Sequence, residues 1–220
     1  KKLKIKGSVV KLVARDCPRR NIWRMKLFDS YKECRDKDDG FLGGPFFKLA
    51  YSAGEGEKTT ENSLFLQAGA QAVLAYPTLE ADDCVAITVK HIKKNYPESK
   101  IWIIASDMDY LQLVDDNVSV YNLKFKDISK SKNATGDADC DKFCKIVCGD
   151  KSDDIPGVFK KCGPKTALKL YNDKELFEKK LDSEPGARER YRLNQKLVDF
   201  DNIPEELVNG FKTKILGINV

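Results

Sequence analysis

Ile101-Trp102-Ile103-Ile104-Ala105-Ser106-Asp107-Met108-Asp109 is a short apolar run that ends on two carboxylates. A β-rich run of this length reads as a buried strand. The two acids are two residues apart, so an extended chain turns them to the same side. The pattern recurs on either side. Val9–Ala14 is a β-rich run ending near Asp16, and Ala72–Tyr76 is a second short strand. Leu79-Glu80-Ala81-Asp82-Asp83 then opens a helix over 81–96, with Val85, Ile87, Val89 and Ile92 inward. Val118–Tyr121 is a further strand, and from Asp139 onward the pattern is helical. Strands alternating with helices, with acids at strand C-terminal ends, predict an α/β fold around a parallel sheet. Its site lies in the crevice at those strand ends.

Eight carboxylates gather in four clusters: Asp16; Glu80, Asp82 and Asp83; Asp107 and Asp109; Asp150 and Asp153. One acid at a helix start is ordinary capping, worth about 0.3–1 kcal/mol, and an Asp after a strand is an ordinary turn residue. Acids crowded together repel one another. Their usual counterweight is a hard divalent cation with oxygen ligands, so the clusters are expected to converge on one pocket. The rest of the chain is basic. With the eight acids set aside, 39 Lys and Arg face 26 Asp and Glu, a balance of +13 against +5 overall. A basic body around an acidic pocket fits a polyanionic partner; charge alone fits a lysine-rich solvated surface as well.

Only one histidine, His91, is present, which excludes a His-based metal site and Ser/His or Cys/His catalysis. Seven cysteines without a leader-like or long apolar run point to reduced thiols in the cytoplasm or nucleus. Cys140, Cys144 and Cys148 repeat every four residues. Small core residues explain that better than a zinc site, which wants a fourth ligand. Residues 17–35 read as helical and basic, and residues 36–62 as polar, glycine-containing and mobile. Ile155-Pro156-Gly157-Val158 followed by Gly163-Pro164-Lys165-Thr166 reads as helix, hairpin, helix. Gly163 suits a tight turn and Pro164 the first helical position, whose free amides attract phosphate.

These segments together resemble the flap endonuclease family of structure-specific 5′ nucleases. The matching residues are Asp16, Trp23-Arg24, Tyr31-Lys32-x-x-Arg35, Leu79-Glu80-Ala81-Asp82-Asp83, Ser106-Asp107-x-Asp109, Gly149-Asp150-x-x-Asp153-Asp154-Ile155-Pro156-Gly157-Val158 and Gly163-Pro164-Lys165-Thr166-Ala167. The resemblance implies a PIN-like, Rossmann-like parallel sheet with helices on both faces over residues 1–135, with an arch at about 31–68. A helix-hairpin-helix DNA-binding module and a C-terminal segment would follow at 136–220. It implies phosphodiester hydrolysis, exonucleolytic or at flaps, with two Mg²⁺ or Mn²⁺ ions about 4 Å apart. Asp16, Glu80 and Asp82 would hold one ion, and Asp107, Asp109, Asp150 and Asp153 the other, with Asp83 behind them. Lys32 and Arg35 would meet the scissile phosphate, and Tyr31 would stack on a base. Arg24, Gly157, Lys160, Lys161, Gly163, Lys165 and Thr166 would contact DNA. The implied partners are DNA with 5′ ends, flaps or single-strand/duplex junctions, and RNA primers on DNA, bound by a monomer without a membrane.

Two departures from the family pattern stand out. The family's opening strand, whose Asp-Gly pair supplies a metal ligand, is not among these residues: either the chain is a fragment or that piece is disordered or separate, and without its Asp the first metal site is incomplete. A non-catalytic DNA-binding protein of the same fold is therefore the alternative. The hairpin Val158-Phe159-Lys160-Lys161-Cys162-Gly163 is one residue longer than usual, which implies an altered potassium site.

Overall fold

Strand pairing is where local pattern becomes architecture, and among the described residues both ladders are parallel. The computed structural model describes all residues except 1, 2, 4, 38–42, 55–56 and 219–220, and the side chains of 36 and 37. It falls into two compact units. The first contains residues 1–29, 36–91 and 204–220, and the second 30–35 and 92–203.

In the first unit β1 (Leu12–Ala14) pairs in parallel with β2 (Ala72–Leu74), in register Leu12 to Ala72. Between them lie α1 (Gly44–Tyr51) and α2 (Leu64–Gln67), the latter capped by Ser63, whose Oγ accepts from the Phe65 N–H. α3 (Ala81–Asn95) follows, with Asp82 and Asp83 in its first turn and Lys93 and Lys94 in its last. That distribution complements the helix dipole. Leu74, Leu79, Cys84, Ile87 and, from the C-terminal helix α8 (Glu205–Ile215), Phe211 form the buried side. α8 lies close against Tyr76: a Cβ at Gly210 would sit 2.3 Å from the Tyr76 hydroxyl.

In the second unit β3 (Ile101–Ile104) pairs in parallel with β4 (Val118–Tyr121). Four helices follow: α4 (Ala138–Cys148), α5 (Pro164–Asn172), α6 (Lys174–Ser183) and α7 (Ala187–Val198). Asp137 caps α4 by accepting from the Asp139 and Cys140 amides. α4 stops at Gly149, whose φ is 71° and whose added Cβ would lie 2.4 Å from the Ile155 carbonyl oxygen, so only glycine fits. Val147, Val158, Phe159, Leu170, Phe177 and Leu181 make one core. The Phe177 ring meets Phe143 at 5.0 Å and Tyr191 at 5.1 Å, both edge-on, the arrangement that adds to simple burial. Asn194 is fully buried, and its Nδ2 donates to the carbonyls of Ile146 and Pro156, tying α7 to the corner after α4.

Several expectations change. Among the described residues the parallel ladders are two pairs, not one sheet. β3 is not buried throughout: Ile103 is, but Trp102 and Ile104 are exposed. Residues 17–35 form three short 3-10 turns, Arg19–Asn21, Trp23–Lys26 and one starting at Glu33. Extended backbone at Ile22 (ψ 126°) and a left-handed Lys32 (φ 59°) prevent a continuous helix. Within the segment 36–62, read as polar and mobile, residues 44–51 are helical. Residues 38–42 and 55–56 of that segment lie outside the described residues. The hairpin's left-handed residue is Lys161 (φ 54°), whereas Gly163 is extended (φ −101°) with open space at its Cβ position. The cysteines behave as core: Cys140 is buried, and Cys144, Cys148 and Cys162 pack against the second unit's cluster.

Candidate metal centre

The first turn of α3 carries one carboxylate set. Oxygens of Glu80, Asp82 and Asp83 lie within 4.8 Å of one another. Arg24, 2% exposed, reaches into the set. Its Nη1 donates to Glu80 Oε2 and Asp83 Oδ2, both at 2.9 Å, and its Nη2 to Asp83 Oδ1 at 2.7 Å. Asp83 Oδ2 also accepts from Trp23 Nε1 (2.9 Å) and the Glu80 amide (3.1 Å). Burial opposes a charged Arg24, but the attraction of Asp83, Asp82 and Glu80 outweighs it and raises its pKa. Arg24 is thus an interior anchor and not a surface contact for nucleic acid. Asp83 is fully buried and serves Arg24, so it does not face a substrate. Asp16 is exposed and lies outside this set; its Oδ1 accepts from the Ala81 amide at 2.8 Å, capping the helix. Burial, then the charges of Glu80, Asp16 and Asp83, push the Cys17 thiol up to about 12, so it stays protonated beside the acids.

Asp109, Asp150 and Asp153 form the second set, again with oxygens within 4.8 Å. Its neutralising group is Lys145 of α4, which lies 2.6 Å from Asp109 Oδ1 and pairs closely with Asp150 Oδ2. Sequence reasoning missed this residue, whose only signal was a lysine one turn before the Gly149-Asp150 corner. Asp150 Oδ1 accepts from the Ser152 amide (2.7 Å) and hydroxyl (2.6 Å). Burial would raise Asp150, but the hydrogen bonds from Lys145 and Ser152 win and hold it at about 2. Asp109 moves the other way, because burial outweighs Lys145 and Asp107 adds repulsion. Its Oδ1 is buried, and its partner there is Lys145 Nζ at 2.6 Å. Asp153 meets Arg35 Nη2 at 2.6 Å, Lys32 Nζ at 3.7 Å and the Tyr31 hydroxyl at 3.5 Å. Tyr31 is 3% exposed, so its ring cannot stack on a base. Asp107 is exposed and caps the Asp109 amide at 2.9 Å, outside the set.

Three carboxylates with oxygens this close offer the oxygen ligands that a hard divalent cation takes. Lys145, Arg35 and Lys32 balance their charge in its place. Lys145→Met should therefore lower the melting temperature without divalent ions, and millimolar Mg²⁺ should recover it; equal loss with and without Mg²⁺ would show that Lys145 is packing only. The sign with pH follows. Lys145 is raised above its ordinary value, so its contribution is complete at neutral pH and is lost as pH rises through the folded value. Asp150 is lowered, so its contribution is complete above the ordinary 3.8 and is lost as pH falls toward 2.

Beyond Asp153 the chain turns through the hairpin. Lys160, Lys161, Lys165 and Thr166 are exposed, and α5 begins at Pro164 with no side-chain cap on its amides. Gly157 is close-packed: a Cβ there would lie 3.0 Å from the Cys148 carbonyl oxygen.

The family described as "5'-3' exonuclease, N-terminal resolvase-like domain" matches residues 4–143. The chain is 31% identical over 147 residues to a ribonuclease H of Enterobacteria phage T4, covering 60% of this chain and 46% of that protein. It is 31% identical over 161 residues to a 5'-3' exonuclease of Buchnera aphidicola, covering 70% of this chain and 49% of that protein. It thus spans about half the length of these curated relatives. Among solved structures, a phage T5 5'-exonuclease with bound zinc superposes with a TM-score of 0.72 at 20% identity, over 96% of this chain and 84% of that one. A phage T5 flap endonuclease in complex with DNA and metal ions gives 0.65 at 20% identity, over 95% and 82%. These two likenesses establish a shared fold, mixed α/β with a resolvase-like core. With the family match running over more than half of its length, the chain belongs to the 5'-3' exonuclease family through its N-terminal resolvase-like domain.

Proposed function

We propose that this chain hydrolyses DNA phosphodiester bonds near 5′ ends, flaps or single-strand/duplex junctions, using divalent metal ions. The observation that carries the reading is the second carboxylate set, in which oxygens of Asp109, Asp150 and Asp153 lie within 4.8 Å of one another. Family membership and the phage T5 structures solved with metal ions and DNA support it. Asp16, Glu80 and Asp82 would hold one ion, and Asp107, Asp109, Asp150 and Asp153 the other, as Mg²⁺ or Mn²⁺. Bound there, the ions supply Lewis acidity toward the phosphate and a more acidic water.

The chain's own residues do the rest. Arg24 and Trp23 fix the direction of Asp83 and Glu80, and so the turn from which Asp82 projects. Arg35 and Lys32 hold Asp153 and carry positive charge to the scissile phosphate, where it offsets charge developing in the transition state. Lys160, Lys161, Lys165, Thr166 and the backbone at Gly157 and Gly163 grip duplex phosphates, contacts that position without reading sequence. A potassium ion at the hairpin would be held by its carbonyls, of which Pro156 already accepts one hydrogen bond from Asn194 and Val158 one from Arg190, leaving each a second lone pair. The chain would work as a monomer where DNA is found, in the cytoplasm or nucleus, on DNA and RNA-primed DNA. No helix among the described residues is long and apolar enough to cross a membrane.

A 5′-labelled flap duplex and its blunt and overhanging counterparts test this directly. With Mg²⁺ the chain should release short labelled fragments from the flap, and chelation should stop it. Tight, structure-dependent binding without any cleavage in Mg²⁺ or Mn²⁺ would instead establish the non-catalytic alternative.

A further inference from the structure

A cavity of about 240 Å³ opens beside the hairpin, lined by Gly157, Phe159, Lys160, Glu184, Pro185 and Arg190. One carboxylate occupies its cationic wall. Glu184 Oε1 accepts from the Lys160 backbone N–H at 2.8 Å and lies 3.3 Å from Arg190 Nη2, while Oε2 lies 3.8 Å from Lys180 Nζ. The donors are held without Glu184. Arg190 Nε donates to the Val158 carbonyl at 2.9 Å and Nη1 to the Pro185 carbonyl at 3.2 Å. Lys180 lies over the Phe159 ring, 4.7 Å from its centroid. Glu184 itself keeps 18% of its side chain open to solvent. It follows α6 and precedes the left-handed Gly186, where an added Cβ would lie 3.0 Å from Arg190 Nη1.

An amide and two fixed cations converging on one anion make a seat for a singly charged oxyanion. A backbone phosphodiester carries the same single charge and two free oxygens. The geometry points to a phosphodiester-binding seat that the chain fills with its own Glu184 until nucleic acid displaces it. This inference rests on the DNA reading above and adds a regulation to it: a duplex must compete with a resident carboxylate, which weakens indiscriminate binding to any phosphate backbone. Glu184 offsets one of the two cations, so a phosphate entering the wild type has to displace a carboxylate from them. In a seat without that carboxylate it meets both cations uncontested.

Glu184→Gln keeps an acceptor for the Lys160 amide and removes the competing charge. Binding of the 220-residue chain to a fluorescein-labelled 5′-flap duplex in Ca²⁺ can be followed by anisotropy between 50 and 200 mM KCl. The variant should bind about two- to fivefold tighter at the low-salt end, the scale of a partly exposed charge pair. Its log–log salt dependence should steepen, by at most about 0.9, because the phosphate is then neutralised with no displaced carboxylate beside it. In the wild type, the Lys160 amide resonance should shift when duplex is added, as its acceptor changes from carboxylate to phosphate. That second measurement decides the matter if the variant does not fold. Equal or weaker binding by a folded variant with an unchanged slope would overturn the seat, as would an unmoved Lys160 amide at saturation. Wild-type protein that ignores the duplex at every salt concentration would overturn the DNA reading and the seat together.

Discussion

Asp109→Asn should lower single-turnover cleavage by about three orders of magnitude while leaving the metal-free protein as stable as before, or more so. The rate follows from the proposed chemistry. A metal ion that polarises a phosphoryl oxygen is worth several kcal/mol of transition-state stabilisation, and each 1.36 kcal/mol is tenfold. The stability follows from the local charges. Asp109 is raised in the folded chain by burial and by Asp107, against the pull of Lys145. A carboxyl with a raised folded pKa costs stability once ionised above its unfolded value, so at neutral pH the neutral amide relieves that cost. Asn is also nearly isosteric and leaves Lys145 paired with Asp150. Two measurements check this: quench-flow cleavage at saturating enzyme, and melting temperature with and without Mg²⁺. The variant should lose most of any Mg²⁺-induced rise in melting temperature. Cleavage within tenfold of wild type would remove Asp109 from the ligand set.

Arg24→Ala should cost about 3–5 kcal/mol of folding free energy, the range for breaking a buried ion pair by removing one partner. Against a total of about 5–15 kcal/mol for an ordinary domain, that is a large share. Three features place Arg24 at the upper end. It is 2% exposed; its fork meets both oxygens of the fully buried Asp83; and it also serves Glu80, 3% exposed. Removing it leaves two carboxylates facing each other without a cation. Arg24→Lys should rescue little, because one ammonium cannot meet both Asp83 oxygens and Glu80 in that geometry. Urea unfolding followed by tryptophan fluorescence gives the loss. Pairing Arg24→Ala with Asp83→Ala in a double-mutant cycle gives the coupling. A loss under about 1 kcal/mol, the value of a surface pair, would mean that solvent reaches the guanidinium.

The two results separate what local pattern reveals from what packing reveals. The acids are legible because each stands where its neighbours define an element end: Asp107 after an aliphatic run, Asp82 and Asp83 in the first turn of an amphipathic helix, Asp150 after α4. The same locality made the basic residues ambiguous. Arg24, Tyr31 and Lys32 stand in a stretch rich in Arg and Lys and look like a solvated, DNA-facing surface. In the fold Arg24 and Tyr31 are 2% and 3% exposed, and all three serve carboxylates distant in sequence. Lys145 and Glu184 had no motif at all, since each acts through a contact that a helix or hairpin brings about. Likewise Gly163 looked like the turn residue from its type, whereas the left-handed position fell on Lys161.

From its sequence alone this chain was determined to be an α/β protein with parallel strands, acids at the ends of its elements, and a hairpin followed by a Pro-initiated helix; that the strands form two pairs and not one sheet was not legible there. Side-chain periodicity and capping preferences act over a few residues, so they survive in one dimension. Only the tertiary structure decided which acids share an oxygen cluster, that Asp83 belongs to Arg24, that Lys145 stands between Asp109 and Asp150, and that Glu184 fills the hairpin's cationic wall. Charge pairing depends on distance in space and on exclusion of water, and neither is written in the spacing of residues along the chain.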